Sequence, residues 1–134
     1  MSKTIDWSAL DSVWQAAPAI TAVWAFGSAQ DGIVRPGGDI DVGVLLNTPL
    51  DFDAQLNLLG ALQTALQFAD VDLVILNVAN VMLRFEAVSG RRLFCRDDAE
   101  MARFVSLTAR EYEDEMAMWQ HALRNYTPIH QKGS

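Results

Sequence analysis

No stretch constrains this chain more than Ile20 to Phe26, which holds a single polar side chain, Thr21, and stops at Gly27. A short run so rich in apolar and aromatic residues reads as a buried strand. Two more segments share its character. Asp39 to Leu46 reads as a second strand, closed by Asn47-Thr48-Pro49, and Val71 to Leu76 reads as a third, nearly all β-branched or Leu. Leu93 to Cys95 adds a short edge strand, while Ala29 to Gly38, with three glycines and Pro36, reads as a loop.

Helical spacing fills the intervals between these strands. Trp7, Leu10, Trp14 and Ala17 share one face of a first helix, capped by Asp6 and ended by Pro18. Asp51 to Phe68 carries Leu58, Leu62, Ala65 and Ala69 at helical intervals, widened by Leu59 and Leu66. A third helix runs from about Ala79 to Ser89, with Gly90 as its expected C′ residue. The last element is the longest: Asp97 and Glu100 open it as a variant capping box. From there Met101, Val105, Thr108, Tyr112, Met116, Trp119 and Leu123 recur at steps of four and three. The order α-β-β-α-β-α-β-α predicts an α/β (α+β) domain, a small mixed β-sheet flanked by helices. A single domain spans 1–134, with a core at about 19–95 and a terminal helix at about 98–125.

Composition excludes several classes. With 51% apolar and 20% charged residues in 134, the chain is globular rather than disordered. The longest nearly apolar stretch, Ala16 to Phe26, contains Pro18 and is shorter than the ~18–20 residues of a membrane span. Lys3 is followed by Asp6 and a Trp-bearing segment rather than by the apolar run of a signal peptide. One cysteine, Cys95, makes no internal disulfide, so the expected address is the reducing cytoplasm. A formal charge of −7 argues against direct nucleic-acid binding. Lysine occurs only at positions 3 and 132, so any bound polyphosphate is neutralised mainly by metal ions, backbone amides and an arginine.

The chemistry concentrates in Phe26-Gly27-Ser28-x10-Asp39-Ile40-Asp41. Alternation along a strand turns Asp39 and Asp41 to one face and Ile40, Val42 and Val44 to the other. Two adjacent carboxylates repel, and a hard divalent cation such as Mg²⁺ relieves the conflict. Gly43, next on that face, is expected to leave room for a ligand. Asp72 is the third acid; in an otherwise apolar strand an unpaired buried charge would be costly. Beside Asp39 and Asp41 it would complete a cluster able to hold two metals and to take a proton from an attacking hydroxyl. Gly27 and Ser28 offer backbone amides and a hydroxyl to phosphates. Arg35 is the nearest cation for a phosphate tail, opposed by Asp31. Arg84, Arg91 and Arg92 read as a solvated helix face or salt-bridge partners, Cys95 as a small buried hydrophobe, and His121 and His130 as surface residues.

This pattern resembles the DNA-polymerase-β-like nucleotidyltransferase superfamily: Gly-Ser, about ten residues, Asp-x-Asp, and a later "VDLV" strand. The likeness runs from about Ile20 to Leu76, more loosely to Cys95. Its phrasing "FGS…DIDVGVLL", short length and terminal helix most resemble the minimal (MNT) nucleotidyltransferases, antitoxins of HEPN/MNT toxin–antitoxin pairs. The resemblance implies Mg²⁺-dependent transfer of AMP from ATP to a tyrosine of a HEPN ribonuclease toxin. It departs from the pattern at Asp31, where a basic residue is frequent, and at Gly38, where Ser is common. Two other readings stay open: a small-molecule, aminoglycoside-type nucleotidyltransferase, and an antitoxin that acts by binding alone. The short chain after the core favours a protein acceptor. The acidic run Glu111, Glu113, Asp114, Glu115 followed by Met116, Met118 and Trp119 suits a homo- or hetero-oligomeric contact through the terminal helix.

Overall fold

A computed structural model describes residues 1–126, so His130 and Lys132 lie outside the described part. The chain runs β1 (Lys3–Thr4), α1 (Asp11–Gln15), β2 (Ile20–Phe26), β3 (Ile33–Val34), β4 (Ile40–Leu46), α2 (Phe52–Leu66), β5 (Val71–Ile75), α3 (Val81–Val88), β6 (Arg91–Cys95) and α4 (Asp98–Asn125). Four strands form one sheet in the order β5-β4-β2-β6. β5 and β4 are parallel, and the other two pairings are antiparallel. The expected small mixed sheet with flanking helices is therefore what forms, and β6 lies at its edge as anticipated.

β2 is buried along its whole length because helices cover both faces of the sheet. Ile40, Val42, Val44 and Leu46 of β4 turn to one face and pack with Leu10, Trp14, Leu58 and Leu62. Ala22, Trp24, Phe26 and Leu45 turn to the other, beneath α3 and α4, with Leu76 and Ala87. The segment expected to be loop, 29–38, contains β3, which pairs with β1. Two-residue strands have no periodicity to reveal them.

Helix ends follow from local chemistry. Asp51, Asn80 and Asp97 each accept a backbone hydrogen bond from the first turn of α2, α3 and α4, at 2.8, 2.9 and 3.1 Å. Gln67 closes α2 in the left-handed conformation, so the helix ends at Leu66, two residues before the expected Phe68. The short first helix divides into a 3₁₀ turn at Trp7–Leu10, capped by Asp6, and α1. Asn77, in a 3₁₀ turn after β5, donates to and accepts from the backbone of Leu46, at 2.9 and 2.8 Å, fastening α3's approach to the end of β4.

Gly90 follows α3 but does not adopt a left-handed cap. Its constraint is proximity: an added methyl group would overlap the Ala25 carbonyl oxygen and stand 2.9 Å from the Phe26 Cβ. The chain thus passes against β2 only because no side chain intervenes. Gly90→Ala is expected to destabilise the fold by about 2 kcal/mol, the usual cost of overpacking, measurable by urea unfolding.

Candidate active site

The site lies where β4 and β5 begin and β2 ends. Parallel pairing sets Asp41 opposite Asp72, and antiparallel pairing sets Phe26 opposite Asp41. Asp39, just before β4, shares a face with Asp41, while Ile40 between them is fully buried in the opposite core. Each of Asp39, Asp41 and Asp72 offers a carboxylate oxygen, and these three atoms lie within 4.8 Å of one another. The sequence expectation of a three-carboxylate cluster thus matches the geometry. The Asp72 side chain is exposed, which avoids the cost of burying a charge in this apolar strand; β5 is the outer strand of the sheet.

Gly27 follows directly on β2 with φ +75°, and a Cβ there would collide with the Asp41 carboxylate. Only glycine lets the Gly27-Ser28 turn pass this close to the acids. Ser28 is exposed and is the middle residue of the 3₁₀ turn Gly27–Ala29. Arg35, expected as a phosphate cation, turns back on this loop. Its guanidinium donates to the Ser28 and Ile33 carbonyls, both at 3.2 Å, and to Asp31 at 2.9 Å. The Arg35 hydrogen bond holds the Asp31 carboxyl below its usual range.

Gly43 has a different role from the one its position suggested. A Cβ there would stand 3.1 Å from Leu76 and 3.3 Å from Ala87, so protein side chains, not a ligand, fill that space. The open volume lies nearer Gly27: a cleft of about 720 Å³ lined by Gln30, Asn80, Leu83, Phe85, Glu86 and Tyr112, among others. Its size suits a drug-sized or nucleotide-sized ligand. Phe85 and Tyr112 stack with ring centroids 3.8 Å apart, joining α3 to α4 along this cleft. Arg84 pairs with Glu111 at 2.7 Å across the same two helices, the salt-bridge role expected for it. These cleft residues were missed from sequence, because single residues on separate helices form no motif. Glu86 was also missed, although it adds a fourth negative charge near Asp41.

Crowding of like charges is visible in protonation. Burial first, then the charges of Asp39, Asp72 and Glu86, and a hydrogen bond to Asp72, push the Asp41 carboxyl up to about 6. A divalent cation among these oxygens would reverse that pressure. The donor set is all carboxylate, which fits Mg²⁺ and leaves positions for water and phosphate oxygens.

The model of the polymerase beta nucleotidyltransferase family matches residues 9–99, most of the chain. The chain belongs to this family of nucleotidyltransferases. No curated protein sequence matches it. Among solved structures, the nucleotidyltransferase is similar to a chain of a toxin–antitoxin with AMP-PNP: 26% identity, TM-score 0.74, 90% of this chain and 98% of that one. A chain of the tri-AMPylated Shewanella oneidensis HEPN toxin in complex with MNT antitoxin shares 25% identity, with TM-score 0.66 over 88% and 95% of the two chains. A chain of the MntA–HepT toxin–antitoxin shares 26%, with TM-score 0.63 over 88% and 90%. The polymerase-β-like fold expected from the motif is thereby established. Among the described residues, no helix of the nucleotidyltransferase is long and apolar enough to cross a membrane.

The raised Asp41 value has a consequence for stability. A folded state that holds the Asp41 proton more tightly than the unfolded chain is favoured below the unfolded value and loses that advantage as pH rises. In metal-free protein this loss falls between the ordinary 3.8 and about 6. Asp41→Asn removes the penalty, and after discounting for solvent screening it is expected to stabilise metal-free protein near neutral pH by about 1–2 kcal/mol. The gain should vanish at about pH 4, and urea unfolding in EDTA at the two pH values measures it.

Proposed function

We propose that this nucleotidyltransferase is an antitoxin that transfers AMP from ATP to a tyrosine hydroxyl of a HEPN ribonuclease toxin. The observation that carries this reading is the convergence of Asp39, Asp41 and Asp72 beside the Gly27-Ser28 turn. Similarity to chains from an AMP-PNP-bound toxin–antitoxin and a tri-AMPylated toxin complex supports the nucleotide and the acceptor. Asp39, Asp41 and Asp72 would hold two Mg²⁺ ions, which when bound neutralise triphosphate charge and favour its displacement chemistry. Gly27 and Ser28 orient the β- and γ-phosphates, with Arg35 behind that turn.

In the transfer, the acceptor oxygen forms a bond to the α-phosphorus while the bond to the β-bridging oxygen breaks, and pyrophosphate leaves. Asp72 takes the acceptor's proton. Its exposure at the sheet edge supports that role, since a hydroxyl arriving on another protein must reach its base from outside. Asp41, deeper and more crowded, suits the task of metal ligand instead.

The far end of α4 supplies a contact for the partner. The helix's 28 residues span about 42 Å at 1.5 Å per residue, and its seam outruns the body it covers. Met101, Phe104 and Val105 pack on the sheet, but Trp119 and Leu123 stay 58% and 68% exposed. Exposed apolar residues beside Glu113 and Asp114 suit a partner with a basic rim around an apolar groove. The reducing cytoplasm, consistent with the free Cys95, is the proposed setting.

Co-expression with the product of the neighbouring gene, followed by intact-mass measurement of that product, tests the transfer. An AMP-sized increment is expected with the wild type and none with Asp39→Asn/Asp41→Asn. A tight complex without mass change in either case would mean neutralisation by binding alone. Trp119→Ala is expected to weaken the complex by about 2 kcal/mol, roughly thirtyfold, in a calorimetric titration. Nucleotide binding should be unaffected by that substitution.

A further inference from the structure

Arg35 makes three contacts, all of them with the loop that carries Ser28. One terminal nitrogen donates to the carbonyl oxygens of Ser28 and Ile33, and the other meets Asp31. Asp31 in turn accepts from the Ile33 backbone at 3.1 Å, so its two oxygens tie the same loop from both sides. The backbone is closed further by Gly32 N–H on the Ala29 carbonyl at 2.9 Å and Gly38 N–H on the Arg35 carbonyl at 2.8 Å. Ile5 N–H on the Gly32 carbonyl, at 2.7 Å, anchors the far side to the residue that follows β1. A planar fork of donors suits such a set of acceptors; an ammonium does not hold them in one geometry.

The Ser28 carbonyl is the informative partner. In a trans peptide the C=O of one residue and the N–H of the next point in opposite directions. No cis peptide occurs among the described residues, so fixing the Ser28 oxygen against Arg35 fixes the Ala29 N–H the other way. The guanidinium therefore controls the orientation of the Ser28–Ala29 peptide, one residue beyond Gly27, whose own passage is set by Asp41.

We propose that Arg35 is a positioning residue, joined to Asp31 as a strut that sets the Ser28–Ala29 peptide for binding the triphosphate tail, rather than a direct phosphate ligand. The proposal rests on the reading of Gly27-Ser28 as the phosphate turn. It also explains an acid that otherwise has no place near a polyphosphate. Asp31 is the other half of the strut, and the pair adds no net charge to the approach of ATP.

Two substitutions separate this role from direct contact, because they reverse the sign of one effect. If Arg35 were simply a counter-charge, Arg35→Lys would keep much of its attraction. Asp31→Asn, which removes a negative charge and frees the arginine, would then tighten binding. A strut predicts otherwise: Arg35→Lys and Asp31→Asn each weaken binding of AMP-PNP with Mg²⁺, Arg35→Lys by about fivefold. Binding of AMP, which lacks the β- and γ-phosphates, should stay at the wild-type level, as should the thermal midpoint. Calorimetric titration of both nucleotides into wild type and the two variants reads all of this. Tighter AMP-PNP binding by Asp31→Asn, or wild-type binding by Arg35→Lys, overturns the strut alone. Equal losses for AMP and AMP-PNP with a lowered thermal midpoint also overturn it, leaving a general structural role. Wild-type protein that binds AMP but gains nothing from the added phosphates of AMP-PNP would remove the phosphate-turn reading on which it rests.

Discussion

Three carboxylates held within reach of one another against their own repulsion are what the rest of this structure serves. The force that holds them is remote from them. β4 pairs with β5 in parallel and with β2 antiparallel, and the register of those pairings places Asp41 opposite Asp72 and beside the end of β2. That register is enforced by burial: Ile40, Val42 and Val44 occupy one core and Leu45 the other. A one-residue slip would turn the acids inward and the aliphatic residues outward. The apolar packing of the sheet thereby sustains a local electrostatic conflict that the site alone would not tolerate.

Two glycines mark where main chain comes closest to this arrangement, and each has its own reason. Gly27 is needed both for its left-handed turn and for clearance from the Asp41 carboxylate. Gly90 needs clearance alone, where the chain leaves α3 and passes the end of β2. Between them α3 is pressed toward the acids, which brings Glu86 into their field and Ala87 over Gly43. The cleft beside Gly27 is thus a product of close backbone approach as much as of the side chains that line it.

The strands and the cluster were legible in the sequence because both depend on local spacing. Ile20–Phe26 and Val71–Ile75 announce themselves as apolar runs, and the period of two turns Asp39 and Asp41 together without knowledge of any neighbour. The third acid was legible as a charge out of place in an apolar strand, and its place on an outer strand leaves it exposed. Asn80, Phe85, Glu86 and Tyr112 were not legible as a group, because only the docking of α4 on α3 brings them to one cleft. Gly43 misled for the same reason: alternation fixes which face a residue takes, but not what already occupies that face. Arg35 was found as a cation near the Gly27-Ser28 turn, yet its fork of hydrogen bonds is a property of loop geometry that no spacing encodes.

The position of Asp72 carries a consequence for behaviour in concentrated solution. β5 is the outer strand beside β4, and Asp72 is its one charged residue among Val71, Leu73, Val74 and Ile75. An outer strand of that apolar character is a template for adding a strand from another molecule, and a charge on it discourages such pairing. The carboxylate proposed for the site thus also places a charge on an outer strand of aliphatic character, where it opposes pairing with a strand of another molecule.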